Sequence, residues 1–156
     1  MNGYFAIQLD KQSCNAVKKS ATMPVMVSDH ITLAYKPVKK VYDKYSKLIG
    51  KKVGAMIKGY RSNANIEAFW VGDMFLLEDD KKITRNDKGA AHITLSHKKG
   101  YKQGDANTMF TKPDLKIKRY GYVEGKVKYF KYGWYITINS ITFYNVRVSI
   151  LYFPNN

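Results

Sequence analysis

Residues 30–40 read HITLAYKPVKK, and residues 92–102 begin with the same four letters, as HITLSHKKGYK. The chain has 3 histidines, and two of them, His30 and His92, open this tetrapeptide 62 positions apart (92 − 30). Each copy combines β-prone residues with a basic turn, so each is predicted to be a strand. A repeat this short cannot form a solenoid. We interpret the two copies as two arms of one site.

Side chains two positions apart in a strand share a face, so each copy has a polar and an apolar side. The polar sides carry His30, Thr32, Ala34, His92, Thr94 and Ser96, and the apolar sides carry Ile31, Leu33, Tyr35, Ile93, Leu95 and His97. We expect the apolar sides to pack under helices and the polar sides to form the floor of a cleft. If the two strands meet, two imidazoles and two hydroxyls converge there.

Such a set of side chains is suited to phosphodiester chemistry. One imidazole can deprotonate an attacking hydroxyl or water while the other protonates the departing oxygen. The threonines can donate hydrogen bonds to the non-bridging oxygens, where charge develops. A single histidine on a strand is more typical of a structural residue bonded to a carbonyl, but the matched pair favours catalysis. We predict that His30, Thr32, His92 and Thr94 are catalytic, with no metal and no cofactor.

Charge is the strongest signal in the composition. The 156 residues include 27 Lys plus Arg against 12 Asp plus Glu, a net charge of +15. A field of this sign attracts polyanions such as nucleotides, although a lysine-coated surface can serve solubility alone. The length and the 45% apolar content predict one globular domain spanning 1–156. No apolar run is long enough for a membrane span, and the N-terminus does not resemble a secretory signal. A single cysteine, Cys14, favours a reducing, cytoplasmic compartment.

Periodicity and turn signals predict an α+β domain in which antiparallel strands dominate and helices pack on one side. Strands are predicted at 4–9, 30–35, 53–60, 66–77 and 91–97, with two or three more between 120 and 153. Helices are predicted at 11–20, capped by Asp10 with Ala16 and Val17 buried, and at 38–49, ended by Gly50. The segment 78–89 is read as a charged connection, and 99–114 as a functional loop in the position of a substrate lid.

Four further residues are candidates for substrate binding. Tyr4 lies opposite the apolar side of the first strand and can stack on a base, or can equally be an exposed sheet tyrosine. Lys36 and Lys98 lie six places after the histidines and can contact phosphate, or can be solvated turn residues. Ser96 shares the polar side and adds a third hydroxyl. Trp70 and Trp134 are more typical of core residues than of base-stacking ones.

Other catalytic patterns fit less well. Histidine-triad hydrolases need His-x-His-x-His, and here the middle position is threonine in both copies. A zinc site lacks ligands, since Cys14 is alone and the alternation turns His92 and His97 to opposite faces. Neither a Walker loop, a G-x-S-x-G elbow nor a G-x-G-x-x-G loop is present. A nucleotidyl-lysine ligase is left open by motif, but the chain is short for one.

The paired His-x-Thr motifs resemble those of the 2H phosphoesterase superfamily, the LigT-like phosphodiesterases. This resemblance implies a bilobal fold with two pseudo-symmetric antiparallel sheets flanking a central cleft and helices on the outside. It places the catalytic tetrad on His30, Thr32, His92 and Thr94.

The resemblance also suggests substrates. The sequence itself predicts no membrane association and no obligate protein partner. Family members cleave 2′,3′-cyclic phosphates of RNA ends, 2′-5′ linkages or cyclic nucleotide signals, without metal. The richness in Lys, Asn and Tyr resembles AT-rich viral coding, and stand-alone viral relatives destroy immune messengers such as 2′-5′ oligoadenylate and cyclic GMP–AMP. We expect a substrate of that kind, with a 2′,3′-cyclic phosphodiesterase for RNA ends as the alternative. A non-catalytic basic RNA-binding protein is the rival from another class.

Overall fold

A computed structural model of the chain describes residues 2–87, 89–110, 121–137 and 140–150. The helices in these ranges are α1 (Lys11–Lys18), α2 (Lys39–Ser46) and a 3-10 helix (Gln103–Thr108). The strands are β1 (Gly3–Leu9), β2 (Val25–Met26), β3 (His30–Tyr35), β4 (Lys52–Ser62), β5 (Ile66–Leu76), β6 (Lys82–Ile83), β7 (His92–His97), β8 (Gly121–Thr137) and β9 (Ser140–Ile150). This composition confirms the α+β class.

The predicted strands up to residue 97 are all present, with small shifts at their ends. The connection at 78–89 contains the short strand β6, whose two residues are too few to produce a periodic pattern. The tail forms two long strands in its described part, because β8 continues through Gly133 to Thr137. Residues 151–153 of the last predicted strand lie outside the described residues.

Both predicted helices are present but shorter than expected. The side chain of Asp10 caps α1 by accepting a hydrogen bond from the Ser13 amide at 2.7 Å. Val17 is buried as predicted, but Ala16 is exposed, because α1 turns only a narrow stripe toward the sheet. Helix α2 ends at Ser46, and the chain turns away at Gly50, whose φ of +85° favours glycine.

The described strands form a single nine-stranded sheet, and every pairing in it is antiparallel. Its main order is β2-β7-β5-β4-β8-β1-β3, with β6 paired to β5 and β9 paired to β8. The largest apolar cluster lies between one face of this sheet and the helices, and includes Phe5, Ile31, Tyr45 and Ile93. The two motif strands β3 and β7 lie near opposite ends of the order and contact each other.

The two halves of the sheet have the same strand arrangement and the same pairing register. The order reads β3-β1-β8 on one side and β7-β5-β4 on the other, with β8 and β4 paired at the centre. In the first half Thr32 pairs with Ala6, and in the second half Thr94 pairs with Ala68. Both members of the second pair follow their counterparts by 62 positions (94 − 32 and 68 − 6), the offset that separates the two tetrapeptides. The repeat therefore includes the neighbouring strand as well as the motif.

Each motif strand carries one extra residue, a β-bulge. The register of β3 on β1 skips Leu33, and the register of β7 on β5 skips Leu95. A bulge shifts the alternation by one position, so two consecutive side chains turn to the buried side. These are Leu33 with Ala34, and Leu95 with Ser96. The strict alternation predicted from the sequence is therefore wrong beyond each threonine.

The bulge carbonyls hold the segments that lead into the opposite motif. The carbonyl of Leu95 accepts from the Val27 amide and from the Ser28 hydroxyl, both at 2.9 Å. The carbonyl of Leu33 accepts from the Asn86 amide at 2.8 Å. Val27 lies shortly before His30 in the chain, and Asn86 lies shortly before His92. Each motif strand thus binds, through its bulge carbonyl, the segment that precedes the other motif strand.

A fully buried carboxylate, Glu67, supports the second bulge. It accepts hydrogen bonds from Ser96 at 2.5 Å, from Tyr60 at 2.7 Å, and from the amide and hydroxyl of Thr22 at 2.5 and 2.9 Å. Burial raises the pKa of Glu67, but these bonds outweigh burial and hold the pKa below its usual 4.5. The carboxylate is therefore ionised at neutral pH and joins β4, β5, β7 and the Thr22 loop.

Replacing Glu67 with glutamine should lower the free energy of unfolding by about 1–3 kcal/mol at neutral pH, because buried donors lose an ionised acceptor. A depressed folded pKa means that the carboxylate stabilises the fold above 4.5 and that this contribution is lost as pH falls through the lowered pKa. Urea unfolding across that range should therefore show a flatter acid limb for Glu67→Gln. The exposed Glu78→Gln is the control; an unchanged acid limb in Glu67→Gln would contradict the role of Glu67.

Candidate active site

The two copies of the tetrapeptide meet at one cavity. His30, Thr32, His92 and Thr94 all line a cavity of about 920 Å³, called here the cleft. The rest of its lining comes from Tyr4, Tyr35, Arg85, Asp87, His97, Tyr101, Lys102, Gln103, Gly104, Asp105 and Asn107. The four residues of the two motifs therefore border the same volume, and their catalytic role stays a prediction.

The chain between Val25 and Tyr35 brings the two motifs together. Its first part pairs with β7, and the Ser28 amide donates to the Thr94 carbonyl at 2.9 Å. The Ser28 backbone then turns, with φ +50°, and the Asp29 carbonyl accepts from the Leu9 amide of β1 at 3.0 Å. One continuous segment thus bonds to both halves just before the first histidine, which holds β3 beside β7.

His92 is held as a neutral ring. Its Nδ1 donates to the carbonyl of Ala90 at 2.9 Å, so in the neutral form Nε2 carries the lone pair. Burial lowers the pKa of His92 below its usual 6.5, and the neighbouring Arg85 guanidinium and His30 imidazole lower it further. The bond to Ala90 and the Asp87 carboxylate act in the opposite direction but do not offset burial. A buried, neutral imidazole with a basic Nε2 is suited to the role of general base.

His30 has a different partner. Its Nδ1 lies 2.6 Å from the Asp29 carboxylate, and its side chain is mostly buried. The ring centroid of Tyr4 lies 5.9 Å away, so an aromatic side chain limits the ring on another side. A carboxylate on one nitrogen orients an imidazole and balances its charge when both nitrogens hold protons. The two imidazoles therefore differ in their surroundings, although the motifs that carry them are identical.

The predicted binding residues are divided between the cleft and other surfaces. Tyr4 lines the cleft, but it is buried and stacks on Phe130 at 5.3 Å, so it is not an exposed sheet tyrosine. Ser96 is turned away by the bulge and bonds to Glu67, so the predicted third hydroxyl is not in the cleft. Lys36 and Lys98 are exposed and lie outside the cleft lining, because each follows the last residue of its strand.

Two residues that strict alternation predicts on the apolar sides of their strands line the cleft instead. Tyr35 and His97 line the cleft because the bulges at Leu33 and Leu95 reverse the alternation after each threonine. They occupy equivalent places, 62 positions apart (97 − 35). The argument that His92 and His97 face opposite ways is therefore wrong. Only the register of the neighbouring strand reveals the bulge, and a single sequence does not contain it.

An ion pair in the cleft wall was also missed. Arg85 Nε lies 2.5 Å and Nη2 3.0 Å from the two carboxylate oxygens of Asp87. The Arg85 side chain is 8% exposed, and its Nη2 also donates to the Asn107 side chain at 3.1 Å. In the sequence this residue lies in a charged connection without core character. No sequence signal marks Arg85, because its position depends on the hydrogen bond between the amide of the next residue, Asn86, and the carbonyl of Leu33.

The segment 101–110 covers one side of the cleft. Tyr101, Lys102 and Asn107 are among its cleft-lining residues, which agrees with the predicted position of the 99–114 loop. Ala106, Met109 and Phe110 pack on Ile66 and Ala68 of β5, and Arg61 donates to the carbonyl of Met109. Residues 111–114 lie outside the described part of the chain, as does the side chain of Trp134.

No family model, curated protein or solved structure matches this chain. Among the described residues, no group of three or more His, Cys, Asp or Glu side chains is placed to hold a metal ion. Within the same residues, no helix combines the length and the apolar character that crossing a bilayer requires. The assignment of a function therefore rests on the chemistry of the cleft.

The lowered pKa of His92 can be measured directly. In a pH titration followed by imidazole NMR, His92 should titrate below 6.5. Arg85→Gln should move that midpoint upward, since a neighbouring positive charge is removed. Arg61→Gln, which removes an arginine that does not act on His92, is the control. A midpoint at or above 6.5 in the unmodified protein would contradict the assignment of His92 as a neutral base.

Proposed function

We propose that the protein is a metal-independent phosphodiesterase of the 2H type that acts on ribonucleotides. The observation that carries this proposal is that His30, Thr32, His92 and Thr94 line one cleft. The +15 net charge supports it, because such a field speeds the arrival of an anionic substrate.

The different partners of the two imidazoles divide the proton transfers. His92 Nε2 takes the proton of the attacking ribose hydroxyl or water as the new P–O bond forms. His30 gives a proton to the oxygen of the P–O bond that breaks, while Asp29 holds its ring. Thr32 and Thr94 donate hydrogen bonds to the non-bridging oxygens, where charge increases in the transition state. One proton leaves the nucleophile and one reaches the leaving group, so the step balances.

The proposal includes a bilobal, 2H-like organisation. Two observations support it. Strand β3 pairs with β1 in the same register as β7 pairs with β5, and both pairs contain a bulge at the equivalent residue, Leu33 or Leu95. The centre of the pseudo-symmetric arrangement is the pairing of β4 with β8. In this interpretation the single sheet curves so that its two end regions, β3 and β7, form the two walls of the cleft.

We further propose that the substrate is a 2′-5′-linked or cyclic oligonucleotide messenger, such as 2′-5′ oligoadenylate or cyclic GMP–AMP, cleaved in the cytoplasm of a host cell. The support is the predominance of lysine over arginine, which suits phosphate attraction, and the tyrosines at the cleft. The alternative substrate is the 2′,3′-cyclic phosphate of an RNA end. A panel of 2′-5′ dinucleotide, cyclic dinucleotide and 2′,3′-cyclic nucleotide, with products identified by mass spectrometry, separates these possibilities.

Alanine at His30 or at His92 should lower turnover at least about 100-fold while the melting temperature changes little. Valine at Thr32 or at Thr94 should lower turnover by about 10–1000-fold, because each threonine supplies a transition-state donor. A chelator should leave turnover unchanged. The matched control is His97→Ala. His97 lines the same cleft but does not belong to a His-x-Thr motif, so its loss should affect turnover much less. Near-normal rates in both His30→Ala and His92→Ala would contradict the two-histidine mechanism. An unmodified protein without turnover, whose RNA binding depends strongly on salt, would favour the RNA-binding alternative.

The division of labour between the imidazoles can be tested with the leaving group. A ribonucleoside 2′-(4-nitrophenyl phosphate) keeps the phosphate on the 2′ oxygen, as in a 2′-5′ linkage, and releases an anion that needs no proton at neutral pH. On this substrate His30→Ala should recover most of its activity, whereas His92→Ala should stay impaired because the nucleophile still needs a base. Rates of 4-nitrophenolate release, compared with those on a 2′-5′ dinucleotide, give the answer. The reverse pattern would assign His30 as the base.

A further inference from the structure

A second cavity adjoins the cleft and shares part of its wall. It has a volume of about 670 Å³, and is called here the side cavity. Arg85, Asp87 and Asn107 line both cavities. The cleft and the side cavity therefore lie next to each other, on two sides of the same three residues.

Arg85 is placed to hold an anion at this junction. Its contacts with Asp87 and Asn107 use Nε and Nη2. Within the residues that the structure describes, no hydrogen bond engages its Nη1. The side chain is held by these partners and 8% exposed, so the guanidinium is fixed in orientation before any ligand binds. Arg85 lines the cleft together with His30 and His92, so it borders the same volume as the proposed reacting groups.

The side cavity has the chemistry of a nucleotide site. Trp70 lines it and lies parallel to Phe110, with ring centroids 6.5 Å apart. Its charged lining consists of Lys58, Lys82 and Arg85 with Asp73 and Asp87. Lys82 pairs with Asp73 at 3.2 Å, and Arg85 pairs with Asp87, which leaves the charge of Lys58 in excess. The methylene chain of Lys58 lies across Gly72. A Cβ added at Gly72 would lie 2.1 Å from the Cε of Lys58.

We propose that the side cavity is a nucleoside subsite. It binds the nucleotide unit on one side of the scissile phosphorus, while Arg85 contacts the phosphate at the junction and the other nucleoside lies toward Tyr4. This inference rests on the phosphodiesterase function proposed above and narrows its substrate class. An internucleotide linkage carries a nucleoside on both sides of the phosphorus and fills both cavities. A 2′,3′-cyclic mononucleotide carries one and fills the cleft alone.

The comparison of these two substrates tests the subsite. Lys58→Glu should raise KM for a 2′-5′ dinucleotide about 5-fold with kcat unchanged, and should leave KM for a 2′,3′-cyclic mononucleotide unchanged. Lys52→Glu is the matched control: it makes the same change of net charge from an exposed position on the same strand, outside both cavities. Its KM values should equal those of the unmodified protein on both substrates.

Two further variants separate the base contact from the phosphate contact. Trp70→Leu should raise KM for the dinucleotide alone, by about 5-fold or more, since base stacking is lost. Arg85→Lys should lower kcat on both substrates by about 10-fold or more, because lysine lacks the planar fork. Melting curves show whether each variant is folded, and Lys58→Glu carries the test if Trp70→Leu is not.

The outcomes distinguish this inference from the function on which it depends. Cleavage of both substrates, with Lys58→Glu matching Lys52→Glu on each, would overturn the subsite and leave the phosphodiesterase intact. Equal effects of Lys58→Glu on the two substrates would also overturn it, since a general change of field would then explain the result. If the unmodified protein cleaves neither of these substrates nor a cyclic dinucleotide, both the function and the subsite are wrong.

Discussion

The hydrogen bonds of two bulge carbonyls hold the candidate active site together. Leu33 and Leu95 each leave the ladder of their own half and offer a carbonyl to the chain that approaches the opposite motif. A main-chain acceptor of this kind needs a partner when buried, so the pairing is strongly specified. The same insertion turns two consecutive side chains into the buried layer and brings Tyr35 and His97 to the cleft. The two bulges thus have two effects: they set which side chains of each motif strand face the cleft, and they bond to the segments that bring the two motifs together.

Two identical tetrapeptides acquire different chemistry from the residues around them. The first imidazole has a carboxylate, Asp29, beside Nδ1, and the second has the carbonyl of Ala90. Burial and the neighbouring guanidinium then favour the uncharged form of the second ring. The same tetrapeptide thus places its two imidazoles beside different partners, and a difference of this kind is what the proposed division into acid and base requires.

The sequence was sufficient for the features that depend on local pattern. Alternating apolar residues located most strands, Asp10 located the start of α1, and the repeated His-x-Thr located the four side chains that share the cleft. Features that depend on the pairing register of the strands could not be predicted from the sequence. The bulges are visible only against β1 and β5, so Ser96 and His97 were placed on the wrong faces. Arg85 gains its position from a hydrogen bond of its neighbour to a distant strand, and nothing near it in the chain indicates this.

The segment Val25–Tyr35 bonds to β7 along its first part and to β1 along its second. Main-chain ladders therefore set the spacing between the walls that carry the two rings, and those walls do not spread apart without breaking the sheet. In the described part of the chain, the segment 101–110 is attached differently, through apolar contacts and the side chains of Arg61 and Arg85. The walls that carry the two imidazoles are thus joined to each other through the main chain, whereas the wall formed by 101–110 is joined to the sheet through side chains.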